Sequence, residues 1–111
     1  MKIAGIDWRV EELAPFDPSL SVDGSRCYGA CDYSQRKIFL DRTLPEKVKR
    51  KALTPELVHA VIFEYLLGGK DSYSEENVCD LLATYGERVL RSVEAYFCAE
   101  KELKDFYSII I

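Results

Sequence analysis

The chain has 111 residues, of which 48% are hydrophobic and 31% charged, and a formal net charge of −4. This length and apolar content exclude an intrinsically disordered chain and predict a single domain, residues 1–111, that buries its own core. The acidic balance argues against nucleic acid as a partner, because phosphate binding depends on Lys and Arg. No apolar run approaches the ~20 residues of a membrane span, and the charges within residues 1–13 argue against a signal peptide. We therefore expect a cytoplasmic protein with no membrane partner.

The N-terminal part of the chain predicts strands. Residues 1–13 alternate loosely between apolar and polar and predict a first strand that bends near Gly5, followed by a loop over Ala14–Gly24. Two further strands, Arg26–Tyr33 and Lys37–Asp41, flank the polar residues 34–36 and predict a hairpin.

Two helices are predicted after the hairpin. Thr43 is the expected N-cap of the first, with Pro45 and Glu46 in its opening turn. Residues 57–67 are almost continuously apolar and predict a buried helix that ends at Gly68 and Gly69.

The last helix is expected to begin near residues 72–74, with Ser72 and Glu75 as a capping box, and to reach about Leu103. Its predicted inward stripe is Val78, Leu82, Tyr85, Val89, Val93 and Tyr96. The apolar tail Phe106–Ile111 must dock on the body or meet a partner.

These elements predict an α+β fold in which a small antiparallel sheet of about three strands packs against two main helices. The expected contact between the helices joins Val58, Val61, Ile62 and Tyr65 to Val78, Leu82, Tyr85 and Val89. Trp8, Phe39 and Phe97 are the other expected core residues.

The four cysteines, at positions 27, 31, 79 and 98, are expected to be buried and reduced. A zinc site built from them is the minor alternative, because 79 and 98 lie nineteen positions apart.

The single histidine, His59, carries the clearest chemical signal. Glu56 lies three residues before it, on the same side of a helix. In the metallopeptidase signature H-E-x-x-H, two histidines one turn apart bind zinc and the Glu acts on the water. Here residues 55–59 read Pro-Glu-Leu-Val-His, which is that signature with proline in place of the first histidine.

The order of elements from Gly24 to Tyr96, with this degenerate signature in its middle, resembles the compact zincin-like metallopeptidases of the ImmA/IrrE type, especially phage and prophage versions. The resemblance implies a minimal zincin-like domain and a third metal ligand on the following helix. Glu76 is the favoured candidate, with Asp80 one turn later as an orienting acid, and Glu75 is the alternative. Both glutamates also suit a helix N-terminus for electrostatic reasons alone. Cys79 is a weaker substitute ligand.

Pro55 has no side chain that binds a metal, so one of three protein ligands is lost. We therefore expect Glu56 to be a vestigial general base and the metal ligands His59, Glu76 and Glu75 to be vestigial as well. Pro55 also predicts that the helix splits near Leu53–Thr54.

We therefore hypothesise that the chain is a pseudoenzyme that binds another protein and uses no cofactor. The resemblance implies that it is a phage-encoded regulator or an antagonist of host defence. The expected partner is another protein or a second copy of the chain, and the basic residues Lys47, Lys49, Arg50 and Lys51 and the tail Ile109–Ile111 are candidate contact surfaces. The alternative hypothesis is a metal-dependent peptidase or other hydrolase with an atypical two-ligand zinc site and Glu56 as its base. A third is an ordinary α+β interaction module in which Glu56 and His59 are a structural pair.

Overall fold

A three-stranded sheet forms the centre of the structure, a computed structural model that describes residues 1–67 and 73–101. The middle strand is β7 (Lys37–Asp41), with β6 (Gly29–Asp32) antiparallel on one side and β3 (Arg9–Leu13) parallel on the other. The short strands β1 (Lys2–Ile3) with β2 (Ile6–Asp7), and β4 (Ser21–Val22) with β5 (Ser25–Arg26), form two separate hairpins.

Two long helices complete the fold. Helix α1 (Glu46–Ile62) continues into a π-helical turn, Phe63–Leu67, and α2 (Glu75–Lys101) packs against α1. A short 3-10 helix, Pro18–Leu20, lies before β4. The predicted α+β class, with a small sheet and two main helices, is confirmed. So is the hairpin formed by β6 and β7. The three-stranded sheet is mixed rather than wholly antiparallel as predicted, because β3 pairs parallel with β7, which strand patterns alone do not indicate.

The core lies between the sheet and α1. Ile38 and Leu40 of β7 are fully buried on the face that α1 covers. Phe39 points to the opposite face, because successive residues of a strand alternate, and the 3-10 helix with its buried Leu20 approaches β7 there. Trp8, Phe39 and Phe97 are all buried, as predicted.

The first helix begins at Glu46, two residues after the start that an N-cap at Thr43 would give. Pro45 occupies the N-cap position and makes no side-chain cap hydrogen bond. The hydroxyl and the backbone N–H of Thr43 both donate to the Asp41 carboxylate, at 2.6 and 2.8 Å. The expectation that Thr43 caps α1 was therefore wrong, because the buried acid at the end of β7 binds Thr43 instead.

Pro55 does not split the helix. Helix α1 runs unbroken through it, although proline removes one backbone hydrogen bond and costs roughly 3 kcal/mol in a helix interior. Leu53 and Leu57, on either side of it, are fully buried, and each contributes about 1.5–3 kcal/mol by leaving water. This burial offsets the local cost and keeps the two halves in one helix. Thr54 donates to the carbonyl of Arg50 at 2.8 Å rather than capping a second helix.

The inward face of the second helix differs from the prediction at one position. Leu81 is buried whereas Leu82 is 42% exposed, so the expected inward position of Leu82 was wrong. Val89 and Val93 are buried as expected, and the Tyr65 and Tyr85 rings stack at 4.4 Å. Adjacent residues of a helix point about 100° apart, so only one of these two leucines faces the core.

The start of α2 is fixed by a reciprocal cap. The backbone N–H of Asn77 donates to the Ser74 hydroxyl at 3.1 Å, and the backbone N–H of Ser74 donates to the Asn77 side chain at 3.0 Å. The cap predicted from Ser72, the terminating Gly68 and Gly69, and the tail Phe106–Ile111 lie outside the described residues. Among the described helices, none combines the length and the apolar character that crossing a membrane requires.

Candidate functional site

The degenerate signature lies at the edge of the interface between α1 and the sheet. Glu56 is half-buried, whereas Pro55 and His59 are exposed. Burial raises the pKa of Glu56, and the nearby His59 partly opposes that rise. The two residues are therefore close enough to interact, as their spacing on a helix predicts.

The other proposed metal ligands lie at the start of α2. Glu75, Glu76, Cys79 and Asp80 are all exposed there. Within residues 1–67 and 73–101, no three side chains of His, Cys, Asp or Glu are placed to hold one metal ion. This donor set, with a single histidine in the chain, does not fit a three-ligand zinc centre. The assignment of Glu56, His59, Glu75 and Glu76 as remnants of one stays a hypothesis.

Glu56 instead lies close to a cysteine of the sheet. Burial, and next the charge of Glu56, raise the pKa of Cys31 to about 12. A thiolate is the effective nucleophile and metal ligand, and this shift disfavours the thiolate of Cys31 at neutral pH. All four cysteines are free. Cys79 is exposed and Cys27, Cys31 and Cys98 are only half-buried, so the expectation that the thiols are buried was wrong, whereas all four are free, as predicted.

A cleft opens beside Glu56, between β6 and α1. It has a volume of about 410 Å³. Gly29 of β6 lies against the helix here, because a Cβ at Gly29 would come within 3.3 Å of the Glu56 Cγ and 3.4 Å of the Ala52 carbonyl oxygen. The cleft is lined by Tyr28, Gly29, Val48, Lys51, Ala52, Pro55 and Glu56. Most of this surface is apolar, and Glu56 supplies a carboxylate at one side.

The outer edge of β6 borders this cleft. Within the described parts of the chain, no strand pairs with that edge. The Tyr28 carbonyl accepts from the Asp41 N–H at 2.9 Å, which fixes the alternation of the antiparallel ladder. Gly29 and Cys31 therefore direct their backbone N–H and C=O groups away from β7. Pro55 also leaves the carbonyl of Lys51, at the same cleft, without its usual helical donor.

A buried carboxylate, Asp41, lies at the end of β7. Asp41 is fully buried and accepts from the Arg26 guanidinium at 2.6 Å, in addition to its two bonds from Thr43. The Thr43 hydroxyl, more than Arg26, lowers the pKa of Asp41. The network therefore ties the end of β7 to Arg26 of β5 and to the turn that leads into α1.

The basic residues of α1 do not form one open patch. Lys49 pairs with Glu12 at 2.5 Å, and Arg50 pairs with Glu94 and with Glu46. Lys47 and Lys51 are exposed. Part of the predicted cationic surface therefore serves to fasten α1 to β3 and α2.

The sequence reading found Glu56 but missed the cleft and Asp41. A glycine inside a strand indicates that another backbone comes close, and Gly29 carries that signal. An aspartate two residues before a threonine at the end of a strand indicates a local side-chain turn, which Asp41 and Thr43 form. Comparisons of the chain with protein-family models, curated proteins and solved structures found no match.

Proposed function

We propose that this chain is a protein-binding module that takes an extended segment of a partner protein along the outer edge of β6. The observation that carries the proposal is the cleft itself, which lies beside a strand edge with outward-directed backbone groups. A segment that adds to a sheet edge gains affinity from main-chain hydrogen bonds, and adjacent pockets select its side chains.

The walls of the cleft define the ligand. One apolar side chain of the segment fills the space between Gly29, Val48 and Ala52, and burying it contributes about 1.5–3 kcal/mol. Glu56 is half-buried, and among the described residues His59 is the charge that favours its ionised form. A Lys or Arg in the segment would supply a cation to pair with the Glu56 carboxylate. The chain's net charge of −4 also favours a positively charged partner. The bound segment is thus extended, with an apolar and a basic residue.

In this proposal the chain does not hydrolyse what it binds. Zinc catalysis needs three protein ligands and an open fourth position, and this sequence has proline at the first ligand position and one histidine in all. The resemblance to phage metallopeptidase-like proteins supports a regulatory or antagonist role for such a module.

One observation favours the alternative hypothesis of a hydrolase. A carboxyl group whose pKa is raised in a cleft is suited to general acid–base work, and Glu56 is such a group. Cleavage of the bound segment is therefore measured alongside its binding.

Selection from a library of random heptapeptides on the immobilised protein tests the proposal. We expect enrichment of sequences with an apolar residue near a basic one, and a dissociation constant on the order of 10 µM for the best peptide. Val48→Trp fills the cleft and should weaken binding at least about tenfold. Lys47→Trp, which places the same ring on the neighbouring exposed position, is the matched control and should bind like the unmodified chain.

Glu56→Gln should weaken binding of the selected basic peptides several-fold and leave neutral analogues unaffected. No enrichment, or binding that Val48→Trp leaves intact, would overturn the proposal. Mass spectrometry of the bound peptides detects hydrolysis, and specific cleavage lost in Glu56→Gln would establish the alternative.

A further inference from the structure

Two residues of β6 face α1. Gly29 pairs with Leu40 of β7 and Cys31 pairs with Ile38, and both partners are fully buried on the side that α1 covers. Residues that pair across antiparallel strands share a face. Glu56 lies at this level of the helix, because a Cβ at Gly29 would come within 3.3 Å of its Cγ, and because burial and then the Glu56 charge raise the pKa of Cys31. The half-buried carboxyl group therefore lies beside β6.

Tyr33 continues this row just beyond the end of β6. Its ring packs on the Phe63 ring, with the two centroids 4.9 Å apart. Phe63 follows Glu56 by seven residues, which is about two helical turns and returns to the same face. Tyr33 and Glu56 therefore lie on the same side of the sheet. Burial, followed by neighbouring charges that include those of Glu56 and Tyr73, raises the pKa of Tyr33, so Tyr73 is close as well.

Glu56, Tyr33 and Tyr73 together suit a cation. Tyr33 is 39% and Tyr73 47% exposed, so both rings are accessible to a ligand. In the described part of the chain, no salt bridge includes Glu56. The face of an aromatic ring attracts the cation of Lys or Arg, and a carboxylate pairs with it. A basic side chain that enters here would meet both kinds of partner.

An extended segment on the outer edge of β6 places alternate side chains over this row. Antiparallel addition is the more stable and the more common arrangement. A side chain opposite Gly29 then enters the cleft, and the residue two positions earlier in the segment lies opposite Cys31, about 7 Å away. Neighbouring strands lie about 4.8 Å apart, a gap that the long stem of Lys or Arg crosses to bring its cation to Glu56.

We propose that the bound segment runs antiparallel to β6 and carries a Lys or Arg two positions before its apolar residue, with the cation held by Glu56 and by the rings of Tyr33 and Tyr73. This inference rests on the proposed function, which requires an apolar and a basic residue but fixes neither their order nor their spacing. Tyr33 and Tyr73 are thereby specificity-determining residues of the same site.

Heptapeptides that differ only in the position of one Lys test the order and the spacing. Each has blocked ends and one central leucine among Ser and Thr residues, and Lys stands two positions before the leucine, one before it, two after it, or is absent. Binding is measured by titration calorimetry up to about 1 mM peptide. We expect Lys two positions before the leucine to bind about threefold to tenfold more tightly than Lys at either other position.

Variants of the protein test the aromatic contact. Tyr33→Leu keeps an apolar side chain against Phe63 and should remove most of the preference for that Lys position, while the peptide without Lys binds as before. Tyr33→Phe keeps the ring and should keep the preference. Phe16→Leu alters an exposed ring that does not line the cleft and is the matched control. Thermal melts of each variant check that it folds.

The outcomes separate this inference from the proposed function. Peptides that bind equally wherever Lys stands, or most tightly with Lys after the leucine, would overturn the inference and leave the binding function in place. A preference that Tyr33→Leu retains in full would overturn the assignment of the cation to these rings. Absence of binding by every peptide would overturn both proposals.

Discussion

Replacing Asp41 with alanine should destabilise the protein by about 3 kcal/mol at pH 7. The substitution removes three hydrogen bonds, two from Thr43 and one from Arg26, and a bond to a charged group contributes about 1.5–3 kcal/mol. The lower end applies here because Thr43 is exposed and Arg26 is 46% exposed, so water replaces Asp41 around them. Alanine also avoids the desolvation cost of the buried carboxylate, which offsets part of the loss in the free energy of unfolding.

The opposite truncation, Arg26→Ala, should cost less, about 1–2 kcal/mol. It leaves a buried carboxylate, which is costly when unpaired, but both bonds from Thr43 remain to satisfy it. We expect Asp41→Ala to cost more than Arg26→Ala because Asp41 is buried and Arg26 is exposed to water.

Urea unfolding at a series of pH values measures both effects. The pKa of Asp41 is lowered in the folded chain, so its contribution is complete above the ordinary Asp pKa of about 3.9 and is lost as the pH falls through the folded value. The difference between Asp41→Ala and the unmodified chain should therefore shrink below about pH 4. A loss under about 1 kcal/mol at pH 7, or a loss that does not change with pH, would refute this account of the network.

Three further outcomes are expected. Glu56→Gln should raise the free energy of unfolding at pH 7 by about 0.5 kcal/mol, discounted for partial exposure, because the pKa of Glu56 is raised and ionisation therefore opposes folding. Thermal melts should show this gain shrinking as the pH falls through the ordinary Glu pKa of about 4.3 and absent near about pH 3, where the carboxyl group is protonated in both states, and a gain that persists there would contradict the assignment. Ser74→Ala should cost about 1 kcal/mol in urea unfolding, because it removes the cap of α2, and an unchanged midpoint would mean that the cap contributes nothing. Mass spectrometry of protein purified without added metal should find under about 0.1 zinc per chain, whereas a ratio near one that His59→Ala abolishes would establish a metal site.

The sequence was a good guide wherever local chemistry decides the structure. The turn at residues 34–36 and the start of α1 depend on neighbours in the chain, and the structure has the first as predicted and the second within two residues of its predicted position. The cap at Thr43 was predicted wrongly because a residue outside the helix, Asp41, competes for the same hydroxyl. The effect of Pro55 was predicted wrongly because tertiary burial outweighs a local cost.

The site was harder to predict because it depends on packing. Glu56 is identifiable from a motif, but its nearness to Cys31 exists only once β6 lies on α1. Leu81 and Leu82 are equally apolar, so the sequence could not decide which of them faces inward.

The parallel pairing of β3 with β7 has a consequence for how the chain folds. In the β6–β7 hairpin, Asp32 pairs with Lys37, which lies five positions later in the chain. In the parallel pair, Arg9 of β3 pairs with Lys37 of β7, which lies 28 positions later. Closing the longer loop costs about 1.5 kcal/mol more in chain entropy, so we expect the hairpin to form first and β3 to join it afterwards. During synthesis, β3 is made before β6 and β7, but its partner strand β7 is complete only when residue 41 has been added. We therefore expect β3 to be the last strand of the sheet whose backbone N–H groups are protected from exchange with water.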